Sequence, residues 1–505
     1  MRLDDLTRGL SAPASPNVRR ALAAAVVLAG CAVFAVTSRG PQWFPVDDAY
    51  ITLHNALALL RHRDENFPGV SPLVGATSGA HVLLVALFAA VFEPLRALHA
   101  ARVLGATLYP LALLRVGAAT RASAPMSLLL MAFGVLLGRT PHQLMNGLET
   151  GLALAGVTFA LAEHLAETRA DEPERPRVWL PLACGALPFL RPELALLSVM
   201  LLGLRLYRRR SEGPRALLRD LALAAAAAAP FALAYLASTG SPIPSTVSAK
   251  RNFFAEGCLP PATKRLWVLG NLGVVVGLMG YASRALLLLP LSSVGRLGAV
   301  FGAVMVGAYY VSFPGALGHY EQRYLYVLLP FVTAALAVGA ADRRRWLRWA
   351  CVALLFVGAD ESLWRAKERW VEHRRAEDFT RYELDAAARW MNERLPRGAR
   401  VLVHDVGYVS WATRFALIDI VGLKSPGSAE PHRALTWPSC GARRGEAVAR
   451  IAREGRATHL VALTSWDGIY RFVDSLRAQR WQVREIRAQG LYRVYALQAP
   501  PEVRR

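Results

Sequence analysis

A chain of 505 residues that is 54% hydrophobic and only 19% charged carries more apolar surface than a water-soluble core needs. Its apolar residues come in long runs divided by arginine clusters, the pattern of a polytopic membrane protein. A formal net charge of +22 would point to nucleic acid in a soluble protein, but these arginines flank apolar runs, as the positive-inside bias predicts, and no basic-aromatic module accompanies them, so nucleic acid is excluded as a partner.

Residues 1–18 read as a short, polar, proline-containing cytoplasmic tail without fixed structure. The first apolar run, Ala21 to Thr37, follows Arg19 and Arg20 and lacks a small-x-small cleavage site. It is expected to be an uncleaved first span. Residues 38–79 form an extracytoplasmic loop that holds the segment WFPVDDAYITLHNALALLRH and then the Gly/Pro/Ser-rich stretch FPGVSPLVGATSG, which cannot be helical throughout. Apolar runs follow at about 80–92, 98–116, 124–138, 146–165, 178–190, 193–207, 216–237, 264–281, 285–312, 323–341 and 345–359.

Charge orients them. The basic clusters are Arg115 with Arg121, Arg169 to Arg177, Arg208 to Arg210, and Arg343 to Arg345. All four become cytoplasmic if the short 80–92 run packs at the outer surface without crossing and the runs on either side of Arg191 are separate spans. That rule predicts about eleven spans within a module covering residues 19–359, and an outer C-terminus. A hairpin inside 285–312 would reverse the last domain. Beyond about residue 360 charges become dense, and segments at Arg400–His404, Phe415–Ile420, His459–Leu463, Trp481–Ile486 and Tyr492–Leu497 read as strands. Helices near 378–394, stopped by Pro396, and near 445–453 and 470–480 complete an extracytoplasmic α/β domain over 360–505, large enough for its own core. Five cysteines (Cys31, Cys184, Cys258, Cys351 and Cys440) show no CxxC or histidine-paired spacing, so neither a metal cluster nor a redox motif is expected.

The residues able to carry chemistry gather on the predicted outer face. Asp47 and Asp48 open an amphipathic helix beside Trp43 and Phe44. One aspartate suffices as a helix cap, so a pair calls for a further role such as a general base. Two like charges so close also split their pKa values. Tyr50 and His54, four apart, share one face of that helix with the acids. Glu149 in NGLETGL opens an apolar run. Arg191 in PFLRPELALL sits between two short runs, where it either snorkels to the interface, pairs with Glu193, or binds phosphate bidentately. Lys250 and Arg251 lie in an outer loop where basic residues are disfavoured. Arg323 in HYEQRYLYVLLP starts a span, with Tyr320, Tyr324 and Tyr326 as an interfacial belt. His404 and Asp405 stand at the carboxyl end of a strand, a usual ligand position in α/β sheets, but no GxSxG, P-loop or GxGxxG accompanies them and a structural role is expected.

Taken in order, these segments resemble a known group. DDAYITLHNALAL is similar to the DDAYI signature of bacterial GT-C glycosyltransferases, among them the terminal arabinofuranosyltransferases of the mycobacterial cell wall. NGLETGL, LRPELALL, GSPIPSTVSAK, QRYLYVLLP, LVHDVGYVSW and LIDIVGLKSP resemble that group's successive motifs, spread over about residues 43–425. More distantly the plan resembles the lipid A aminoarabinose transferases and the protein mannosyltransferases. The chain departs from the group at His54-Asn55-Ala56, where it usually reads RYA, at Val70-Ser71-Pro72-Leu73, and at Ser245. These departures bear on sugar and acceptor more than on reaction class.

The resemblance implies a polyprenyl-phosphate-linked sugar, possible help from a divalent cation, membrane lipids as surroundings, and a glycan or lipid acceptor in the outer compartment of a bacterial cytoplasmic membrane. It implies Asp48 as base with Asp47 assisting, and Lys250, Arg191, Arg323, Glu149, His54 and Tyr50 around the donor's phosphate and sugar. Two other classes share parts of this pattern. A lipid-linked-sugar transporter or flippase also uses charges near the membrane, though no inverted repeat is visible, and a non-catalytic envelope sensor or assembly protein also carries an outer α/β domain.

Overall fold

The computed structural model describes residues 13–168 and 178–501. Most of the expected tail and the basic cluster Arg169 to Arg177 therefore lie outside the described residues. Six helices among the described residues are long and apolar enough to cross a membrane, spanning Pro16–Thr37, Pro94–Ala119, Pro214–Thr239, Pro261–Leu291, Ser293–Ser312 and Pro314–Ala340. Length and apolar composition alone therefore mark six of the about eleven expected spans. Gly79–Ala89, Ala124–Leu136 and Trp179–Leu190 are apolar but too short, since 11 to 13 residues rise only about 16–20 Å against a hydrocarbon core of roughly 30 Å. The runs on either side of Arg191 are helices of 12 and 15 residues broken by extended backbone at Arg191 (φ −154°, ψ 134°). The 264–312 region is continuous only as far as Met279, after which tight 3-10 turns run from Gly280 to Leu291 before a helix resumes at Ser293.

Pro94–Ala119 and Thr150–Glu167 pack backbone to backbone. A Cβ at Gly105 would sit 3.1 Å from the Leu152 nitrogen, and one at Gly151 would sit 3.0 Å from the Gly105 carbonyl carbon. Small residues at one level let membrane helices approach this closely, and the contact fixes the start of Thr150–Glu167, where Glu149 stands. The opposite end of that helix gathers charge. Arg115 pairs with Glu163 at 2.7 Å, Arg208 reaches His164 at 3.1 Å, and Arg205 holds Asp220 at 2.7 Å and also pairs with Glu167. Eighteen residues, about 27 Å of helix, thus separate the basic end of the bundle from Glu149.

The α/β boundary expected near residue 360 falls inside a helix. Arg345–Trp364 leads almost directly into Ala366–Phe379, a π-turn at Thr380–Leu384, and Asp385–Arg394. Five strands follow: β1 (Arg400–Val403), β2 (Ala416–Asp419), β3 (His459–Leu463), β4 (Gln482–Arg487) and β5 (Tyr492–Gln498). They form one mixed sheet in the order β2-β1-β3-β5-β4, with β1 parallel to β2 and β3, and β5 antiparallel to β3 and β4. The segments after β1 and β2 face the helix Asp47–Arg61, so the carboxyl ends of the parallel strands meet the first loop. The apolar core is continuous from Phe44 and Tyr50 through to Tyr408 and Leu423.

The cysteines hold a feature that spacing did not reveal. Cys258 and Cys440 form a disulfide across 182 residues, with Cα atoms 5.3 Å apart. It ties the loop that follows Lys250 to the segment between β2 and β3.

Candidate active site

The helix Asp47–Arg61 begins with Val46 in the cap position, and neither aspartate accepts a hydrogen bond from its own first turn. The cap that one aspartate of the pair could have supplied is therefore absent. Its carboxylate reaches into the sheet domain instead, accepting the backbone amides of Gly407 and Tyr408, both at 2.7 Å. A Cβ at Gly407 would run into the Asp47 carbonyl oxygen, so only glycine permits this approach. Burial first, and then the carboxylate of Asp405, push Asp47 up to about 8 against the pull of those two amides.

Asp48 points elsewhere. Its Oδ2 lies 3.5 Å from the Lys250 ammonium and 3.5 Å from the Arg323 guanidinium, and its Oδ1 accepts the Tyr320 hydroxyl at 2.8 Å. Burial alone would raise its pKa. Lys250, then Arg323, then the Tyr320 hydrogen bond outweigh that and bring it down to about 2. Asp48, Lys250 and Arg323 border a cavity of about 20 Å³ lined also by Thr52, Gly75, Thr77, Ser78 and Glu149. That is room for about one water.

Tyr320 is thus no interfacial belt residue. It reaches Asp48 because Tyr320, Glu321 and Gln322 all adopt the left-handed region, with φ of 44°, 59° and 59°. Three consecutive non-glycine residues there store strain that the surroundings must hold. The buried Gln143 does so, donating to the Tyr320 and Glu321 carbonyls at 2.9 and 3.0 Å, and is itself held by Asn146 at 3.1 Å. Arg139 adds an ion pair to Glu321. Asn146 of NGLETGL therefore acts through Gln143 on the turn that presents Tyr320. Tyr326, also read as belt, accepts the Arg139 backbone amide at 2.6 Å.

The other expected site residues divide. Arg191 is 1% exposed and is held by Glu193 at 2.6 Å and Glu149 at 3.4 Å, behind the cavity wall. The Tyr324 ring lies against both Arg191 and Arg323, at 4.5 and 5.0 Å from their guanidinium carbons. Two buried guanidinium nitrogens, Nη1 of Arg191 and Nε of Arg323, have no hydrogen-bond acceptor. Tyr50 and His54 do not reach the cavity. The Tyr50 hydroxyl accepts the Phe44 amide at 3.1 Å and its ring meets Tyr408 edge-on at 4.8 Å. His54 bonds Asn66 at 3.1 Å and approaches Asp64 at 3.4 Å. Burial, with Lys424 next, depresses its pKa to about 4. His404 and Asp405 pair at 3.0 Å, and Asp405 accepts the Tyr492 hydroxyl at 2.7 Å.

Among the described residues no group of three or more His, Cys, Asp or Glu side chains is arranged to hold a metal ion. Asp47 is engaged by two backbone amides and Asp48 faces the ammonium of Lys250 and the guanidinium of Arg323, a positive setting that does not suit the divalent cation that the resemblance allowed.

The fold has solved counterparts. ArnT from Cupriavidus metallidurans bound to undecaprenyl phosphate superposes with TM-score 0.55 at 11% identity, covering 95% of this chain and 99% of that one. The same protein in its apo state gives 0.52 at 12% identity over 96% and 99%. The chain thus shares its overall fold with ArnT, and its long apolar helices are those of a multi-pass membrane protein. Residues 371–495 match a family described as a domain of unknown function (DUF8728). No curated protein matches the chain.

Proposed function

We propose that this protein is an inverting membrane glycosyltransferase that moves a sugar from a polyprenyl-phosphate donor to a hydroxyl of a glycan or lipid acceptor. The observation that carries the reading is one carboxylate, Asp48, shared by Lys250 and Arg323 at the wall of a cavity, in a fold shared with a protein bound to undecaprenyl phosphate. The motif resemblance supports a pentofuranose as the sugar.

In this reading the two cations rest on Asp48 until a donor phosphate takes them. An incoming phosphate offers several strong acceptors, and Nε of Arg323 is already without one. Once Lys250 and Arg323 turn to the phosphate, the Asp48 carboxylate loses the charges that depress it, and its basicity rises toward that of a buried acid. It then takes the proton of the acceptor hydroxyl. The acceptor oxygen bonds to the anomeric carbon from the face opposite the phosphate, the bond from carbon to phosphate oxygen breaks, and configuration inverts. The leaving phosphate keeps its electron pair, stabilised by the same two cations. Tyr320 orients Asp48, Asp47 fixes the helix start, and Arg191 with Glu149 supports Arg323 from behind through Tyr324. Tyr50 and His54 are framework, and no step passes through a metal.

The disulfide supports an outer orientation. Cystines persist in oxidising compartments, and Cys258 stands eight residues from Lys250 while Cys440 lies in the sheet domain. The cystine thus ties the segment after Lys250 to the sheet domain, which agrees with a site on the outer face of a bacterial cytoplasmic membrane. The deciding assay measures sugar transfer from polyprenyl-phosphate donors in proteoliposomes by the unaltered protein and by Asp48→Asn. Loss of about 10²–10⁴-fold is expected for removal of a general base, and full retained activity would sink the proposal.

A further inference from the structure

One lysine of the sheet domain has no part in that chemistry. Lys424 follows β2 in LIDIVGLKSP and is 1% exposed. An ammonium so deep is costly unless its protons are all accounted for. This one donates to Oδ1 of Asn55 at 2.6 Å and to Oδ2 of Asp64 at 2.9 Å, with the Phe67 ring 5.2 Å away. Asp64 is in turn saturated, its Oδ1 accepting the amides of Asn66 and Phe67 at 3.1 and 2.9 Å.

Both acceptors belong to the first loop, not to the sheet domain. Asn55 lies seven residues after Asp48, two turns along the same face of the helix, and its amide also donates to the Val74 carbonyl at 3.3 Å. The lysine stem passes Gly75 so closely that a Cβ there would sit 2.8 Å from Lys424 Cδ and 3.1 Å from the Leu423 carbonyl oxygen. Gly75 also has φ +82°, so glycine is required twice over. Gly75 and Leu423 both line the cavity that holds Asp48. A single side chain thus joins the acidic helix, the strand-end segment of the sheet, and one wall of the cavity.

We propose that Lys424 is a positioning residue: by bridging Asn55 and Asp64 it fixes residues 74–78 against the acidic helix, so the sheet domain completes the cavity around Asp48. The inference rests on the transferase reading for its catalytic consequence, but its structural consequence can be read without any turnover. Lys424→Met keeps the stem and removes the ammonium, leaving Asp64 buried without a counter-charge. Lys424→Met with Asp64→Asn removes both charges and retains an oxygen for the Asn66 and Phe67 amides. Asn55→Ala removes the other acceptor without touching either charge.

The test uses the full chain in nanodiscs and measures melting temperature, hydrogen exchange of residues 48–55 and 74–78, and kcat and KM for a polyprenyl-phosphate sugar. The double variant is expected to melt near the unaltered protein, yet to exchange at least tenfold faster in those two segments. Its kcat should be at least tenfold lower with KM within threefold, and Asn55→Ala should show the same local exchange. Exchange and kcat at the level of the unaltered protein in the double variant, or in Asn55→Ala should the double variant not fold, would overturn the proposal. If the unaltered protein transfers no sugar, the transferase reading fails, and the exchange measurement alone decides the role of Lys424.

Discussion

Replacing Asp48 by asparagine is expected to move two measurements in opposite directions. The fall of the Asp48 pKa from 3.8 to about 2 corresponds to on the order of 2 kcal/mol of net attraction to its surroundings. Burial is already included in that figure, and the side chain is only 19% exposed, so solvent screening removes little of it. A lipid phosphate must displace that attraction before it can take Lys250 and Arg323. Asparagine removes the competitor and leaves two cations facing each other, which also favours an anion. Undecaprenyl phosphate should therefore bind Asp48→Asn more tightly, by on the order of tenfold or more, the same energy expressed as affinity. Transfer should fall meanwhile. Binding measured by thermal shift in detergent at two salt concentrations reads the effect, and added salt should shrink it. A misfolded variant would lose binding and transfer together. Weaker or unchanged phosphate binding in a folded Asp48→Asn protein would refute the idea that Asp48 and the phosphate compete for the same cations.

Asp47 titrates near its ordinary 3.8 when unfolded but at about 8 in the fold, so folding binds a proton there. Stability from this group is full below about pH 4 and falls as pH rises toward 8. Asp405→Asn removes the largest contributor after burial, and the difference in melting temperature between pH 5.5 and pH 8 should shrink; an unchanged difference counts against the assignment. Cys440→Ala opens a loop of 182 residues, for which chain entropy gives a loss of up to about 5 kcal/mol. A melting temperature insensitive to that change and to reductant would mean that the two modules are held together without the cystine.

Strand positions were legible because each is a short run rich in Val, Leu and Ile between turn residues, and β1 to β5 coincide with the expected segments to within one residue at each end. The number of spans is less legible, because hydropathy counts apolar runs without measuring helix length, and Gly79–Ala89 and Trp179–Leu190 are apolar helices of fewer than 18 residues. Asp48 stood out as an acid at a helix start, Lys250 as a base in an outer loop and Arg323 as a base at a span start. That Lys250 and Arg323 meet on one carboxylate, 202 and 275 residues away in sequence, is a tertiary fact with no local trace. Tyr320 was misread because an aromatic at a span start looks the same whether it faces lipid or a carboxylate, and only the left-handed backbone turns it inward. The partners of Asp47 are 360 and 361 residues away. Lys424 did leave a signal: a lysine directly after the segment LIDIVGL is costly to bury unless a distant acid meets it.

Why two adjacent aspartates have opposite environments follows from helix geometry. Successive residues on a helix point about 100° apart, so Asp47 and Asp48 cannot share a partner, and whichever surface captures one dictates where the other looks. The sheet domain captures Asp47 through the Gly407 and Tyr408 amides, which sets the rotation of the helix about its own axis. A carboxylate some 5–6 Å from that axis moves roughly 2 Å for a 20° rotation. Asp48 stands 3.5 Å from both Lys250 and Arg323, already at the outer limit of such contacts, so a shift of that size on the far side would break both. The grip on Asp47 and the charge balance at Asp48 are therefore one mechanical variable. That explains why Gly407 must lack a side chain although it touches no part of the cavity: the fault that a methyl group introduces there would be read at Asp48.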